Sequence, residues 1–415
     1  MSHRHTVFFL IILSMFIALD TYIWLGYRKS VKKKYFMYFK WLIPLSTLLF
    51  IIGGFLNYFR NQAGLFNANK SLNILFGIAL SFIVIKLMLA VFLFIEDLYR
   101  SSVLMKNILV NPKNKTSFAS RRNFVRNLSL GAATLPFIGS IYAVTKGKYA
   151  FHQKRLDLAS PRFPASFDGF KVVMFSDFHA GSFDDFEQVK RGLEMINEAQ
   201  PDVILFAGDI VNNRSVEVLP YLSLFKNLTA KHGKFAVLGN HDYGEYMDFK
   251  TEEERVENER ELEQFYKEAG FQLLNNEHIQ LTNGVDTLNI VGVENWGTGP
   301  FPQYGDIKKA SEGMNVENFN ILISHDPDHW EYEVRHLPDF YDLTLSGHTH
   351  GFQTGANIPG WKWSLAKYRY KRWLGLYQEQ GKYLFVSKGF GFLGFPGRIG
   401  MAPEIVVLNL YHDSV

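Results

Sequence analysis

Three stretches near the start of this chain, residues 7–27, 36–59 and 72–98, are apolar over lengths that a water-soluble domain does not expose. A helix needs about 20 residues to cross the roughly 30 Å hydrocarbon core of a bilayer, and each stretch supplies them. Inside lipid the backbone can satisfy its own N–H and C=O groups only as a helix or a closed barrel. The first third of the chain is therefore predicted to be a helical membrane domain. A fourth stretch, 128–144, is shorter and richer in Gly, Ala and Ser.

The charges between these stretches bear on their orientation. Arg28, Lys29, Lys32, Lys33 and Lys34 follow the first stretch, and Arg100, Lys106, Lys113, Lys115, Arg121, Arg122 and Arg126 follow the third. Only Arg60 and Lys70 lie between the second and third. Cationic loops resist translocation, so with four crossings the two basic loops face the cytoplasm and the rest of the chain lies outside it; with three crossings it stays cytoplasmic. The run Ser120-Arg121-Arg122-Asn123-Phe124-Val125-Arg126 resembles a twin-arginine export signal and precedes the fourth stretch at the distance such signals use, which favours four crossings. The expectation is an integral bacterial cell membrane protein whose soluble part is extracytoplasmic. The formal net charge of +4 is accordingly a topology signal and not a nucleic-acid footprint. Among polar residues in the stretches, Asp20 and Glu96 lie near the ends, where they can snorkel, whereas Lys86 lies well inside, where pairing within the bundle is expected.

After Pro161 and Pro164 the composition turns to mixed charge and turn residues, with short β-branched and aromatic runs alternating with helical patterns. This is the rhythm of an α/β sheet. The predicted organisation is a membrane domain over 1–147, a linker over 148–168 and an α/β domain over 169–415. Strands are expected at 171–176, 203–207, 235–238, 288–293, 319–324, 343–346, 383–387 and 404–410.

Polar residues follow most of these runs directly. They are Asp177-Phe178-His179, Gly208-Asp209, Gly239-Asn240-His241-Asp242, His325 and Gly347-His348-Thr349-His350. Open α/β sheets gather their sites at the carboxyl ends of strands, so these loops should meet. Together they offer Asp177, His179, Asp209, Asn240, His325, His348 and His350. With no cysteine in the chain, any metal site is limited to such oxygen and imidazole donors, a mixture that suits Mn, Fe, Zn or related divalent ions. Seven donors exceed what one ion usually takes; two ions bridged by one carboxylate would use them all and could clamp a phosphoryl centre.

The same five fragments, in this order, resemble the motif series of the calcineurin-like metallophosphoesterase superfamily, and Gly389-Phe390-Gly391, Pro396-Gly397-Arg398 and Pro403-Glu404-Ile405 are similar to the end of its membrane-associated bacterial branch. That branch includes exported phosphoesterases with twin-arginine signals and UDP-diacylglucosamine pyrophosphohydrolases. The resemblance covers about Phe170 to Leu410 and implies a four-layer α/β/β/α sandwich with two metal ions. It assigns Asp177, His179 and His350 to one ion, Asn240, His325 and His348 to the other, and Asp209 to both. It also implies in-line attack on phosphorus by a metal-bound hydroxide, with His241 donating a hydrogen bond or proton to the phosphoester and its leaving group. The chain departs from the family pattern at Asn212, where many members carry an acid that keeps the catalytic histidine protonated; Asp242 is a candidate to compensate. It departs again at Phe352, where a glycine is frequent, giving a narrower or more apolar rim. Arg398 is a further candidate for contact with substrate or with a ligand.

Two segments bear on the substrate. Residues 245–270 read as a solvated helix or a cap on the site. The segment from Trp361 to Trp373 interleaves rings and cations, which fits a membrane interface, nucleic-acid stacking or internal packing. The expected partners are thus a phospholipid membrane and a phosphoester substrate, lipid-linked or otherwise from the envelope. The alternatives are a broad phosphodiesterase or phosphatase on nucleotides or cell-wall phosphates, and a catalytically silent membrane scaffold or sensor.

Overall fold

The computed structural model describes residues 3–28, 36–62, 69–110, 119–338 and 341–413. They fall into two compact units, one of helices up to Thr145 and one running from Lys146 onward. The basic residues Lys29, Lys32, Lys33, Lys34, Lys113 and Lys115, and the side chains of Arg121 and Arg122, lie outside what is described.

The first unit holds α1 (His3–Tyr27), α2 (Phe36–Gln62), α3 (Lys70–Val110) and α4 (Ala119–Thr145). Among the described residues Met37–Leu56, Lys70–Asn107 and Asn123–Thr145 are long and apolar enough to cross a membrane, and Ile11–Tyr27 is a shorter apolar run. The fourth stretch, weak by composition, thus belongs to a helix of 27 residues. Lys86, 4% exposed, places Nζ 2.8 Å from Asp20 Oδ1, 2.6 Å from Thr47 Oγ1 and 2.6 Å from the Ile43 carbonyl. Its three N–H groups are all used. Thr47 Oγ1 also donates to Asp20 Oδ2 at 2.8 Å, so one polar knot ties α1, α2 and α3. Asp20 does not snorkel, because the opposite charge it needs is inside the bundle. Glu96 is likewise buried, at 3% exposure. Tyr27 Oη and Ser129 Oγ, 2.5 Å apart, link α1 to α4.

The second unit is a sandwich of two six-stranded sheets. In chain order its strands are β1 (His152–Ser160), β2 (Phe170–Phe175), β3 (Val203–Ala207), β4 (Lys234–Val237), β5 (Gln272–Leu273), β6 (Glu277–Asn283), β7 (Asp286–Gly292), β8 (Phe319–Ile323), β9 (Leu343–Ser346), β10 (Gly355–Ile358), β11 (Trp361–Ser364), β12 (Gly375–Glu379), β13 (Lys382–Val386) and β14 (Glu404–His412). One sheet runs β1-β14-β2-β3-β4-β5 and the other β12-β13-β9-β8-β7-β6, while β10 and β11 form a separate hairpin. The central strands are near-continuous apolar runs because both their faces are covered. Val172, Met174, Val203 and Leu205 pack between the sheets against Leu288, Ile290, Ile321 and Ile323. The outer face of the first sheet carries α5 (Phe186–Glu198), α6 (Leu222–Lys226) and α7 (Glu252–Glu268); that of the second carries α8 (Ile307–Ala310) and α9 (Pro327–Tyr332). The result is the expected α/β/β/α layering.

Two expectations change. Residues 152–160 lie in the predicted linker but form β1, paired in parallel with β14 from His152↔Glu404 to Ser160↔His412. As an edge strand it is only half covered, with Lys154, Arg155, Asp157 and Ala159 exposed, so its sequence lacks the apolar run of the central strands. The charged stretch at 252–268 is α7, which buries Leu262, Phe265 and Tyr266 against the sheet and turns its acids to solvent; it does not cap the strand ends.

Candidate metal centre

β2, β3 and β4 run parallel, as do β8 and β9, so the loops that follow them emerge at one edge of the sandwich. There Asp177, His179 and His350 bring one ligand atom each to within 4.8 Å of one another, and Asp209, His325 and His348 do the same. His179 Nε2 lies 3.0 Å from His350 Nε2, which is 3.3 Å from Asp177 Oδ1. Asp209 Oδ2 lies 3.1 Å from His325 Nε2 and 3.6 Å from His179 Nε2, touching both groups. Asn240 Oδ1 joins the second group, 2.7 Å from His348 Nδ1. All seven sequence-predicted ligands therefore converge.

The backbone bends hard to achieve this. Asp177, His179, Asp209, His348 and His350 all have positive φ, between 50° and 70°. Each non-glycine residue in that region costs on the order of 1–3 kcal/mol, a strain that persists where surrounding structure over-determines it. Glycines supply the remaining clearance. A Cβ on Gly347 would stand 2.4 Å from Asp177 Oδ2, and one on Gly208, itself at φ +88°, would stand 2.6 Å from the Gly239 nitrogen. The loops are laced together by backbone bonds, from Asp177 N to Gly208 O at 2.8 Å and from Gly347 N to His325 O at 3.0 Å.

Electrostatics fit a cationic occupant. Burial pushes His179 down to about 3 and holds His348 and His350 well below the ordinary imidazole range, so these rings are neutral, as ligands must be. Burial pushes Asp177 up to about 6, the mark of a carboxylate short of positive charge. Burial also opposes a charge on His325, but Asp209 beside it outweighs this and raises it to about 10. Burial opposes the charge on Asp209 too, yet His325 and His241 hold it well below the carboxylate range. His325 Nδ1 donates to the Ala207 carbonyl at 2.6 Å, which leaves Nε2 buried and facing Asp209 Oδ2 at 3.1 Å. The proton that Asp209 holds on His325 is the one a divalent cation between them would displace, since a ligating imidazole must be neutral.

The surrounding residues divide into the foreseen and the unforeseen. His241 is half-buried, and its Nδ1 meets the Asn212 backbone carbonyl at 2.7 Å; the Asn212 side chain instead bonds Ser182 Oγ. Asp242 does not compensate for the missing acid: its carboxylate faces inward and accepts N–H bonds from Gly239, Asp209, Ile210 and Val211, pinning one metal loop to the next. Arg398 is 1% exposed, so substrate cannot reach it; it donates to the carbonyls of Lys388, Gly391 and Met401 and lies 3.1 Å from His350 Nδ1. Phe352 is 44% exposed, with its ring centre 6.4 Å from that of Tyr370. Three contributors escaped the sequence reading. Tyr246 Oη accepts from Asn240 Nδ2 at 3.0 Å, which turns Asn240 Oδ1 toward His348. Tyr370 Oη lies 2.9 Å from His348 Nε2. Buried Glu217 gathers the N–H groups of Asn212, Asn213 and Arg214 and so sets the carbonyl that holds His241. None sits in a strand-end motif, so no local signal marks them.

Comparison with known proteins agrees with this geometry. Residues 170–352 match the calcineurin-like phosphoesterase family, and residues 3–148 match a family described as a probable calcineurin-like phosphoesterase transmembrane domain. The chain is 29% identical over 302 residues to the uncharacterized metallophosphoesterase YkuE of Bacillus subtilis, covering 70% of this chain and 97% of that protein. It is 29% identical over 245 residues to an uncharacterized metallophosphoesterase of Helicobacter pylori, covering 58% of this chain and only 59% of that one. It is 28% identical over 305 residues to the UDP-2,3-diacylglucosamine pyrophosphatase LpxG of Chlamydia trachomatis, covering 62% and 89% of the two chains. With the motif order, the converging ligands and both regions matched, this membrane protein belongs to the calcineurin-like metallophosphoesterase family.

Proposed function

We propose that the protein is a membrane-anchored phosphoesterase that holds two divalent cations, one through Asp177, His179 and His350 and one through Asn240, His325 and His348, with Asp209 shared, and hydrolyses a phosphoester or pyrophosphate bond in a lipid-linked or envelope substrate. The observation that carries this reading is the single Asp209 carboxylate in contact with two buried His/Asp groups. A cation pair in such a site supplies Lewis-acid charge for the phosphoryl oxygens and lowers the pKa of water into the neutral range. The lipid-linked class is supported by the relative named as a UDP-2,3-diacylglucosamine pyrophosphatase. The test is release of p-nitrophenol from bis-p-nitrophenyl phosphate by the purified full-length protein. A chelator should abolish turnover and Mn²⁺ should restore it; no turnover with any divalent metal would leave the scaffold reading in its place.

His241 is the proton-handling residue in this reading. The Asn212 carbonyl takes Nδ1–H and orients the ring, which leaves Nε2 to exchange a proton with the leaving oxygen. His241→Ala should therefore lower kcat by about 10²–10⁴-fold. Asn212→Ala keeps the carbonyl and loses only a neutral side-chain bond of ~1 kcal/mol, so its turnover should stay within about fivefold of the parent. An Asn212→Ala effect as large as that of His241→Ala would show that the side chain, not the backbone, governs the ring.

The soluble unit is assigned to the extracytoplasmic side. This rests on four helices with basic residues after the first and third, and on the 27-residue length of α4. The chain has no cysteine, so Val285→Cys, at a position 96% exposed, gives a single reporter. A membrane-impermeant maleimide should label it in intact cells stripped of any outer layer; labelling only after lysis would place the unit in the cytoplasm.

A further inference from the structure

Beside the metal centre lies a two-stranded ribbon built inside out for a protein surrounded by water. β10 and β11 pair through Gly355↔Ser364, Ala356↔Trp363, Asn357↔Lys362 and Ile358↔Trp361. Directly opposed residues share a face. One face therefore carries Ala356, Ile358, Trp361 and Trp363, the other Gly355, Asn357, Lys362 and Ser364. The polar face is the one against the domain: buried Ser364 donates to Gly351 O at 2.7 Å, and Lys362 Nζ donates to Leu374 O at 2.6 Å while lying 4.4 Å from the centre of the Tyr377 ring. The apolar face looks outward, with Ile358 58%, Trp361 55% and Trp363 36% exposed, next to Leu365 at 59% and Tyr368 at 71%.

Charge indicates what covers this face. From Gly355 to Leu376 the chain has five cations, Lys362, Lys367, Arg369, Lys371 and Arg372, and no acid. The acids that meet them, Asp328, Glu331 and Glu379, are fewer, and Glu331 also serves Arg335. Positive charge is left over around a tip of rings and aliphatic side chains. That pattern complements an anionic bilayer, negative at its surface and apolar just beneath, where tryptophan and tyrosine settle. Stacked nucleobases would use the rings but would leave Ile358 and Leu365 in water. The ribbon is also continuous with the site: Ser364 bonds the residue after ligand His350, and the Tyr370 hydroxyl is 2.9 Å from ligand His348.

We propose that the β10–β11 hairpin sinks Ile358, Trp361 and Trp363 into the headgroup–acyl boundary of an anionic bilayer, so that the metal centre acts on phosphate esters of lipids at that surface. The membrane contact stands on the hairpin alone; the substrate class rests on the phosphoesterase reading above.

The experiment uses the full chain in vesicles of phosphatidylglycerol and phosphatidylcholine, with Ile358→Cys or, separately, Trp363→Cys carrying an NBD fluorophore. Val285→Cys, on the β6–β7 turn, is the reference. Doxyl-labelled lipid should quench the hairpin probes at least about twofold more than the reference, with a blue-shifted emission. Equal quenching at both hairpin positions and at the reference would overturn the docking. So would protection of the hairpin probes from aqueous iodide by a single-stranded oligonucleotide, without quenching by lipid. Turnover of bis-p-nitrophenyl phosphate in the same samples separates the two readings. Unquenched probes with turnover sink the docking and leave the phosphoesterase; quenched probes without turnover in any metal keep the docking and sink the lipid-phosphate substrate.

Discussion

Asp209→Asn is expected to lower turnover of bis-p-nitrophenyl phosphate by at least about a thousandfold, the equivalent of ~4 kcal/mol of transition-state stabilisation. The substitution keeps the shape of the side chain but removes its charge. Oδ2 is the atom that touches both ligand groups, 3.1 Å from His325 Nε2 and 3.6 Å from His179 Nε2. An amide nitrogen there would point hydrogens into a space that must accept cations. Oδ1, which accepts the His241 N–H at 2.9 Å, can be retained by the asparagine carbonyl, so the loop keeps its form. The thermal midpoint should move little while bound metal, counted by mass spectrometry of the native protein, falls. A folded Asp209→Asn protein that retained a tenth of the parent turnover would rule out the shared carboxylate as the organising element of the site.

Lys86→Leu is expected to destabilise the helical unit by about 3 kcal/mol, because it leaves Asp20, a half-buried acid within the bundle, without its opposite charge. The ammonium contributes all three of its N–H groups, to Asp20, Thr47 and the Ile43 carbonyl, and no described cation replaces it there. The double change Asp20→Leu with Lys86→Leu should recover most of the loss, since two apolar side chains need no partner. Unfolding of the detergent-solubilised full-length protein, followed by α-helical circular dichroism, gives both values. If the single variant unfolds at or above the parent's midpoint, or the double variant recovers nothing, the knot does not stabilise the bundle. A single variant that unfolds earlier yet still hydrolyses the soluble ester would confine the damage to the helices.

Some of this protein is determined by the sequence alone. Parallel strands covered on both faces are near-continuous apolar runs, so the polar residues that follow Val203–Ala207 mark where that strand leaves the sheet, and the candidate ligand set is legible from such breaks. The bilayer imposes a comparable rule, because a long apolar stretch has one structural solution, and hence the helices of the first third are legible too. Edge strands obey neither rule: β1, β6 and the β10–β11 hairpin need only a partner's backbone on one side, and their side chains carry no periodic signature strong enough to read. Which groups meet across the fold was decided only by the tertiary structure. The sequence places Asn212 where an acid is usual, but a backbone carbonyl holds His241, and every residue has a carbonyl. Asp242 follows His241 directly yet points the other way, and Asp20 lies 66 residues from the Lys86 that neutralises it. Strand ends and membrane spans are local properties of a chain, written in consecutive residues; hydrogen bonds and ion pairs across the fold depend on packing that brings distant residues within about 3 Å, and no local pattern records it.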